Sequence, residues 1–246
     1  KPLIVTAGPG SGKTRVVAER VKDIILEQGI SANRVLCLSF TKNAKNEMKE
    51  RFRTDKDLIK YRKSIGDDNV RTIHSLGALI AASGKPMVTS RNAVEKEKPD
   101  PEFIKWQKTI KADDYPIIAK TYPENSPYSN FREKLQGGVS AWKKEELKLN
   151  ELNEYIRQLS EDNKTTDKDG NIANAKAIKK LEEFEKYFEE YEKFLADEGR
   201  IDFDDQIIDS IRKLRNNDEE RKRWAGNYDH IIVDEFQDNN HLQTEL

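Results

Sequence analysis

Leu3-Ile4-Val5-Thr6-Ala7-Gly8-Pro9-Gly10-Ser11-Gly12-Lys13-Thr14 stands near the front of the chain and governs how the rest is read. Leu3 to Thr6 is apolar and too short for a helix, so it predicts a buried strand. From Thr14 to about Glu27, Val17, Val21, Ile24 and Ile25 recur on one helical face, and Gly29 closes the helix. A strand, a glycine-rich turn and a helix in that order are the context of a phosphate-binding loop. Glycine has no Cβ, so successive backbone N–H groups can turn inward around phosphate oxygens. The helix N-terminus adds unpaired donors and the positive end of its dipole.

Within this frame Lys13 supplies a full charge toward the β and γ phosphates, and the Thr14 hydroxyl can ligate Mg2+. The candidate nucleotide-binding set is Ala7, Gly8, Pro9, Gly10, Ser11, Gly12, Lys13, Thr14 and Arg15. Ala7 stands where the pattern has its first glycine, while Gly8, Gly10 and Gly12 keep the loop free to turn. The bland alternative is a chance glycine turn. Correct flanks on both sides and the Lys-Thr pair weigh heavily against it.

Two further short apolar runs, Val35–Ser39 and His230–Asp234, predict buried strands, and Val70-Arg71-Thr72 is a candidate for another. Asn43 to about Arg53 has the pattern of a second helix. Strand and helix alternating in this order predict an α/β fold with a parallel sheet. The run Ile231-Ile232-Val233-Asp234-Glu235 ends in two carboxylates. A solvated strand end is the commoner meaning of such a run alone. Beside a P-loop it becomes the acidic part of a nucleotide site, with Asp234 holding the metal and Glu235 accepting the proton of an attacking water. Together the two elements mark a P-loop NTPase without saying what work it drives.

Between about Gly84 and Gly199 no convincing strand is legible, and prolines interrupt the first half. Ile178, Leu181, Phe184, Phe188, Tyr191 and Leu195 recur every three or four residues as one apolar stripe, which reads as core packing and not as a ligand box. Asn163 to Asn171, dense in Asp, Lys and Thr, reads as an exposed loop. A helical lobe inserted into an α/β domain accounts for this change of character.

Apolar residues make up 35% of the 246 and charged residues 36%, a balance of helix-rich, well-solvated protein. No run approaches the ~18 apolar residues of a membrane span, and no secretory signal is expected. The single Cys37 and the scattered His74, His230 and His241 suggest neither a disulfide nor zinc, so a reducing, cytoplasmic location is expected. Net charge is −1, yet residues 1–92 hold 18 Lys+Arg against 9 Asp+Glu, and residues 171–246 hold 12 against 20. Charge alone leaves two readings level: a phosphate-facing front, or mutual neutralisation in one folded unit.

Asp234-Glu235-Phe236-Gln237-Asp238 resembles motif II of the UvrD/Rep/PcrA-like superfamily 1 DNA helicases, whose consensus is Asp-Glu-Phe/Tyr-Gln-Asp, and Gln243 stands where that family often has another glutamine. Ser39-Phe40-Thr41-Lys42-Asn43-Ala44, on through Glu47-Met48 to Arg51, resembles motif Ia, with Asn and Lys exchanged and Lys45 in place of an alanine. Thr72-Ile73-His74-Ser75 resembles motif Ib. Val139-Ser140-Ala141-Trp142-Lys143 is similar to part of the family's 1B subdomain, and Ile201-Asp202-Phe203-Asp204-Asp205 to the return from it.

The resemblance implies a partial RecA-like P-loop parallel sheet with a mainly helical inserted subdomain. Residues 1–84 would be the first part of domain 1A, 85–199 the 1B-like insertion, and 200–246 the second part, cut after motif II. It implies an ATP-dependent DNA helicase using ATP and Mg2+, moving 3′ to 5′ on single-stranded DNA and meeting ss/dsDNA junctions. A second RecA-like domain and its arginines would lie beyond residue 246, so the chain alone is expected to bind Mg-nucleotide weakly and hydrolyse it poorly. Lys13, Glu235 and Gln237 would be catalytic, with Gln237 sensing the γ-phosphate. Thr14 and Asp234 would hold the metal.

Phe40, Thr41, Asn43, His74 and Ser75 would contact DNA, Phe40 in a base-holding pocket. The competing readings stay open: core packing for Phe40, and a helix cap at Thr72 or Ser75. Lys143, Lys144 and Lys148 are read as a solvated helix face or, less favourably, as duplex contacts. Two alternatives to a simple helicase are the motor of a RecB/AddA-like helicase-nuclease and an ATP-gated ssDNA-binding module without unwinding activity.

Overall fold

The computed structural model describes residues 3–6, 12–61, 65, 69–82, 84–85, 100–125, 130–162 and 175–246. Ala7, Gly8, Pro9, Gly10 and Ser11 of the candidate loop, and the expected loop Asn163–Asn171, lie outside them. The chain divides into two compact units, residues 1–82 with 209–246 and residues 83–208.

The first unit is a mixed α/β fold. Helix α1 (Lys13–Lys22) runs into a wider helical turn over Asp23–Glu27, and left-handed Gly29 follows at φ 69°. Strand β1 (Val35–Ser39), helix α2 (Lys42–Thr54), strand β2 (Val70–Thr72) and helix α3 (Ile73–Ala81) come next. Strand β3 (His230–Val233) and the short helix α11 (His241–Glu245) close the unit. The sheet is parallel throughout, in the order β2-β1-β3, with Cys37 level with both Val70 and Ile232. All five residues of β1 are buried, as a central strand covered on both faces requires. Val21, Ile24 and Ile25 from the first helical segment and Met48 and Phe52 from α2 pack with Val35, Cys37 and Val70 as one core.

Leu3–Thr6 is not a strand. Leu3, Ile4 and Val5 are 76%, 81% and 55% exposed. The run has the composition of a strand, but a strand exists only with a ladder partner, and β3 hydrogen-bonds to β1 alone. For the same reason β3 is less buried than its sequence suggests: Ile231 is 60% exposed.

The second unit is helical: α4 (Pro101–Thr109), α5 (Pro116–Thr121), α6 (Phe131–Lys144), α7 (Leu149–Asp162) and α8 (Ala175–Asp197), followed by the start of α9 (Phe203–Asn216). The stripe on α8 is the centre of its core. Ile178, Phe188, Tyr191 and Leu195 are buried against Phe103, Phe131 and Val139, with Leu181 and Phe184 half-buried beside them. Asp100 and Asn130 cap α4 and α6, and the Glu183 carboxylate from α8 accepts the Ile117 and Ile118 N–H groups at the start of α5, each at 2.8 Å. A Cβ on Gly138 of α6 would lie 2.7 Å from the Phe184 ring, so the close packing there needs glycine. Among the described residues no helix is long and apolar enough to cross a membrane.

Lys143 corrects both expectations for it. It is neither a solvated lysine nor a free duplex contact: it is 4% exposed, with Nζ 2.7 Å from Glu192, 2.9 Å from Asp202 and 2.8 Å from Asp205. Tyr191 Oη donates to the same Asp202 oxygen at 3.1 Å. Burial lowers the ammonium's proton affinity, but Asp202, Asp205 and Glu192 outweigh that and keep it charged. Burial, then the like charge of Asp202, push the Asp205 carboxyl up to about 7. Lys144 is half-buried and Lys148 exposed.

Candidate functional site at the carboxyl edge of the sheet

Because the three strands are parallel, the chain leaves all of them on one edge. Phe40 and Thr41 follow β1, His74 and Ser75 open the helix after β2, and Asp234 and Glu235 follow β3. The carboxyl ends of such strands are where ligands of open α/β sheets bind.

Lys13 is the first residue of α1, entered from Gly12 at φ 85°. That left-handed geometry is open to glycine and costly for other residues. The Gly12 carbonyl accepts the N–H groups of Arg15 and Val16 at 2.8 and 3.1 Å and starts the helix. Half-buried Thr14 is next, followed by exposed Arg15.

At the other side of the site Asp234 extends the ladder, its N–H donating to the Leu38 carbonyl at 2.9 Å. Its side chain is buried and its Oδ1 accepts the Glu235 N–H at 3.1 Å. Desolvation, followed by the charge of Glu235, raises its proton affinity above the usual aspartate value. Cys37, buried on β1, has its thiol pushed up to about 12 by burial and then by Asp234, so it is no nucleophile at neutral pH.

Glu235 is left-handed at φ 54°, ψ 44°, an uncommon state for a residue with a side chain and one that clusters at functional sites. Its Oε2 accepts Lys13 Nζ at 2.9 Å and also Gln237 Nε2, from the short turn Phe236–Asp238. The Lys13 bond, then the Gln237 bond, hold its pKa below the usual glutamate value. Lys13, Glu235 and Gln237, up to 222 positions apart in sequence, thus meet in space.

Two of the residues expected at DNA spend their polar atoms locally. Thr41 Oγ1 accepts the Ala44 N–H at 3.1 Å and caps α2. Thr72, not Ser75, caps α3, accepting the Ser75 N–H at 3.2 Å, while Ser75 Oγ donates to the Thr72 carbonyl. Asn43 lies in the first turn of α2 and His74 in that of α3. Phe40 is 36% exposed and absent from the core, which disfavours simple packing. Gln243 is buried in a capping box with Asn240. Phe236, to which no role was assigned from sequence, is 52% exposed beside Glu235. Its identity inside the acidic motif was the signal available. None of these residues lines the apolar cavity of about 350 Å³ among Leu36, Leu76, Ile80, Ile211, Trp224 and Ile231.

The donor set suits Mg2+. A buried aspartate and a neighbouring hydroxyl offer hard oxygens, and magnesium characteristically takes one or two carboxylates, waters and substrate phosphates in place of an all-protein cage. Consistent with that, no cluster of three or more His, Cys, Asp or Glu that could hold a metal occurs among the described residues.

Comparison with known proteins gives a family match over residues 1–246, to the UvrD/REP helicase N-terminal domain. The chain is 30% identical over 254 residues to a probable DNA helicase II homolog of Mycoplasma capricolum, covering 100% of the chain and 30% of that protein. It is 28% identical over 249 residues to ATP-dependent DNA helicase Rep of Escherichia coli K12, covering 100% and 31%. It is 26% identical over 253 residues to ATP-dependent DNA helicase UvrD1 of Mycobacterium leprae, covering 100% and 28%. The chain thus spans less than a third of the length of each of these relatives. By the extent of the family match, the chain belongs to the UvrD/REP helicase N-terminal domain family.

Proposed function

We propose that this chain is the N-terminal motor portion of an ATP-dependent DNA helicase. It couples Mg-ATP hydrolysis to 3′-to-5′ movement on single-stranded DNA and to duplex unwinding at ss/dsDNA junctions. The observation that carries this reading is the meeting of Lys13, at a glycine-led helix start, with Glu235 just past a parallel strand. The names of the relatives, helicases described as ATP-dependent, support it. Residues 1–84 and 200–246 are read as two parts of a RecA-like domain 1A and 85–199 as a 1B-like insertion. A second RecA-like domain completes the motor in the intact protein, which works in the cytoplasm.

Each residue has a defined task. Ala7 to Ser11 with Gly12 turn backbone N–H groups toward phosphates, Lys13 adds a mobile positive charge, and Arg15 lies at the rim. Thr14 and Asp234 are the residues to hold Mg2+, whose charge offsets that of the phosphates when it is bound. Glu235 accepts the proton of the attacking water once its carboxylate is free, and Gln237 positions it. Phe40 offers a face for a base of any sequence, while Thr41, Asn43, His74 and Ser75 line the backbone path.

The test is strand separation by the intact protein on duplexes tailed at one end. Unwinding of 3′-tailed but not 5′-tailed substrates, lost in Lys13→Ala, is expected. Equal unwinding from both tails would refute the polarity. ATP-dependent DNA binding with no strand separation would favour a module without unwinding activity.

A further inference from the structure

Glu235 Oε2 is occupied twice, by Lys13 Nζ at 2.9 Å and by Gln237 Nε2. The left-handed backbone at Glu235 lets the chain fold back from β3 while Gln237, two residues on, reaches the same carboxylate. The first turn of α1 carries no acidic residue, so the negative charge nearest Lys13 comes from the end of β3. The pair is half-exposed, with side chains 27% and 33% accessible, so it can open at modest cost. A carboxylate oxygen that holds two donors is not free to take a proton from water. An ammonium bound to that carboxylate is likewise not free for a phosphate.

Building on the nucleotide-site reading above, we propose that Glu235 latches Lys13 before nucleotide arrives and that Gln237 is the positioning residue that seats the latch. Nucleotide phosphates then bind by exchanging partners on Lys13, which releases Glu235 in the same event. Lys13 competes for one partner at a time, so the latched fraction subtracts directly from apparent affinity. Several phosphate charges outcompete a single carboxylate, so the latch slows binding without preventing it. The same exchange keeps the proton acceptor engaged until there is something to hydrolyse.

The experiment is stopped-flow association of fluorescently labelled Mg-ADP with the intact protein, comparing wild type, Gln237→Ala and Glu235→Gln. ADP lacks the γ-phosphate, so the sensing role expected of Gln237 is not read. Gln237→Ala removes no charge, so relief of simple repulsion cannot imitate release of the latch. The latch predicts that Gln237→Ala raises the association rate roughly two- to fivefold, the range of a part-exposed ion pair, with dissociation unchanged. Glu235→Gln should raise it at least as much. Association at or below the wild-type rate in both variants overturns the latch while leaving the nucleotide site standing. A wild-type protein that fails to bind Mg-ADP overturns the site assignment and the latch together.

Discussion

At the scale of single residues, the site rests on three side chains that local sequence grammar made legible. Lys13 was readable because a loop before a helix start has one chemical use for a lysine followed by threonine. Asp234 and Glu235 were readable because an apolar strand ending in two acids is informative once a P-loop is present. Their geometry gives a sharp expectation: Glu235→Gln should retain Mg-nucleotide binding but lose about 10²- to 10⁴-fold in steady-state turnover, the range for a general base. Turnover within a few-fold of wild type would remove Glu235 from that role. What sequence could not reveal was the use of each atom. Thr41 and Ser75 looked like exposed hydroxyls, yet both serve the turns that start α2 and α3. Side-chain oxygens near helix starts are claimed first by the backbone, a competition that residue identity alone does not decide.

At the scale of elements, strands β1 and β2 and helices α1, α2 and α8 were predictable from apolar period and length. The Leu3–Thr6 strand was not, because a ladder partner is a tertiary fact. Lys143 failed for a related reason. Its sequence neighbours Lys144 and Lys148 suggested a solvated face, but α8 and the start of α9 bring Glu192, Asp202 and Asp205 around it.

That cluster makes a prediction of its own. Asp205, faced by Lys143, Asp202, Glu192 and nearby Asp204, has its carboxyl pushed up to about 7 from 3.8. Between these values the folded protein binds more protons at this site than the unfolded chain. Stability from this group is therefore present at low pH and is lost as pH rises toward and through 7. Urea unfolding of the intact protein should show a declining contribution between pH 5 and about 8 that Asp205→Asn flattens. Lys143→Ala, which leaves buried carboxylates without their cation, should cost about 3–5 kcal/mol. A pH slope unchanged by Asp205→Asn would mean that another group carries it.

At the scale of the whole molecule, the parallel sheet does what no single motif can: it brings Phe40, His74, Asp234 and Glu235 to one edge. That common edge is why a nucleotide event at Lys13 and a DNA contact at Phe40 are plausible partners in one cycle. Net charge of −1 says nothing of this, because the phosphate-facing chemistry is local. The central claim is that Lys13, Asp234 and Glu235 form an ATP site whose turnover answers to DNA. The most direct test is ATP turnover by the intact protein with and without single-stranded DNA, using Lys13→Ala as the blank. Strong stimulation by single-stranded DNA that Lys13→Ala abolishes is the predicted result. Turnover that persists in Lys13→Ala, or that single-stranded DNA leaves unchanged, would contradict the account.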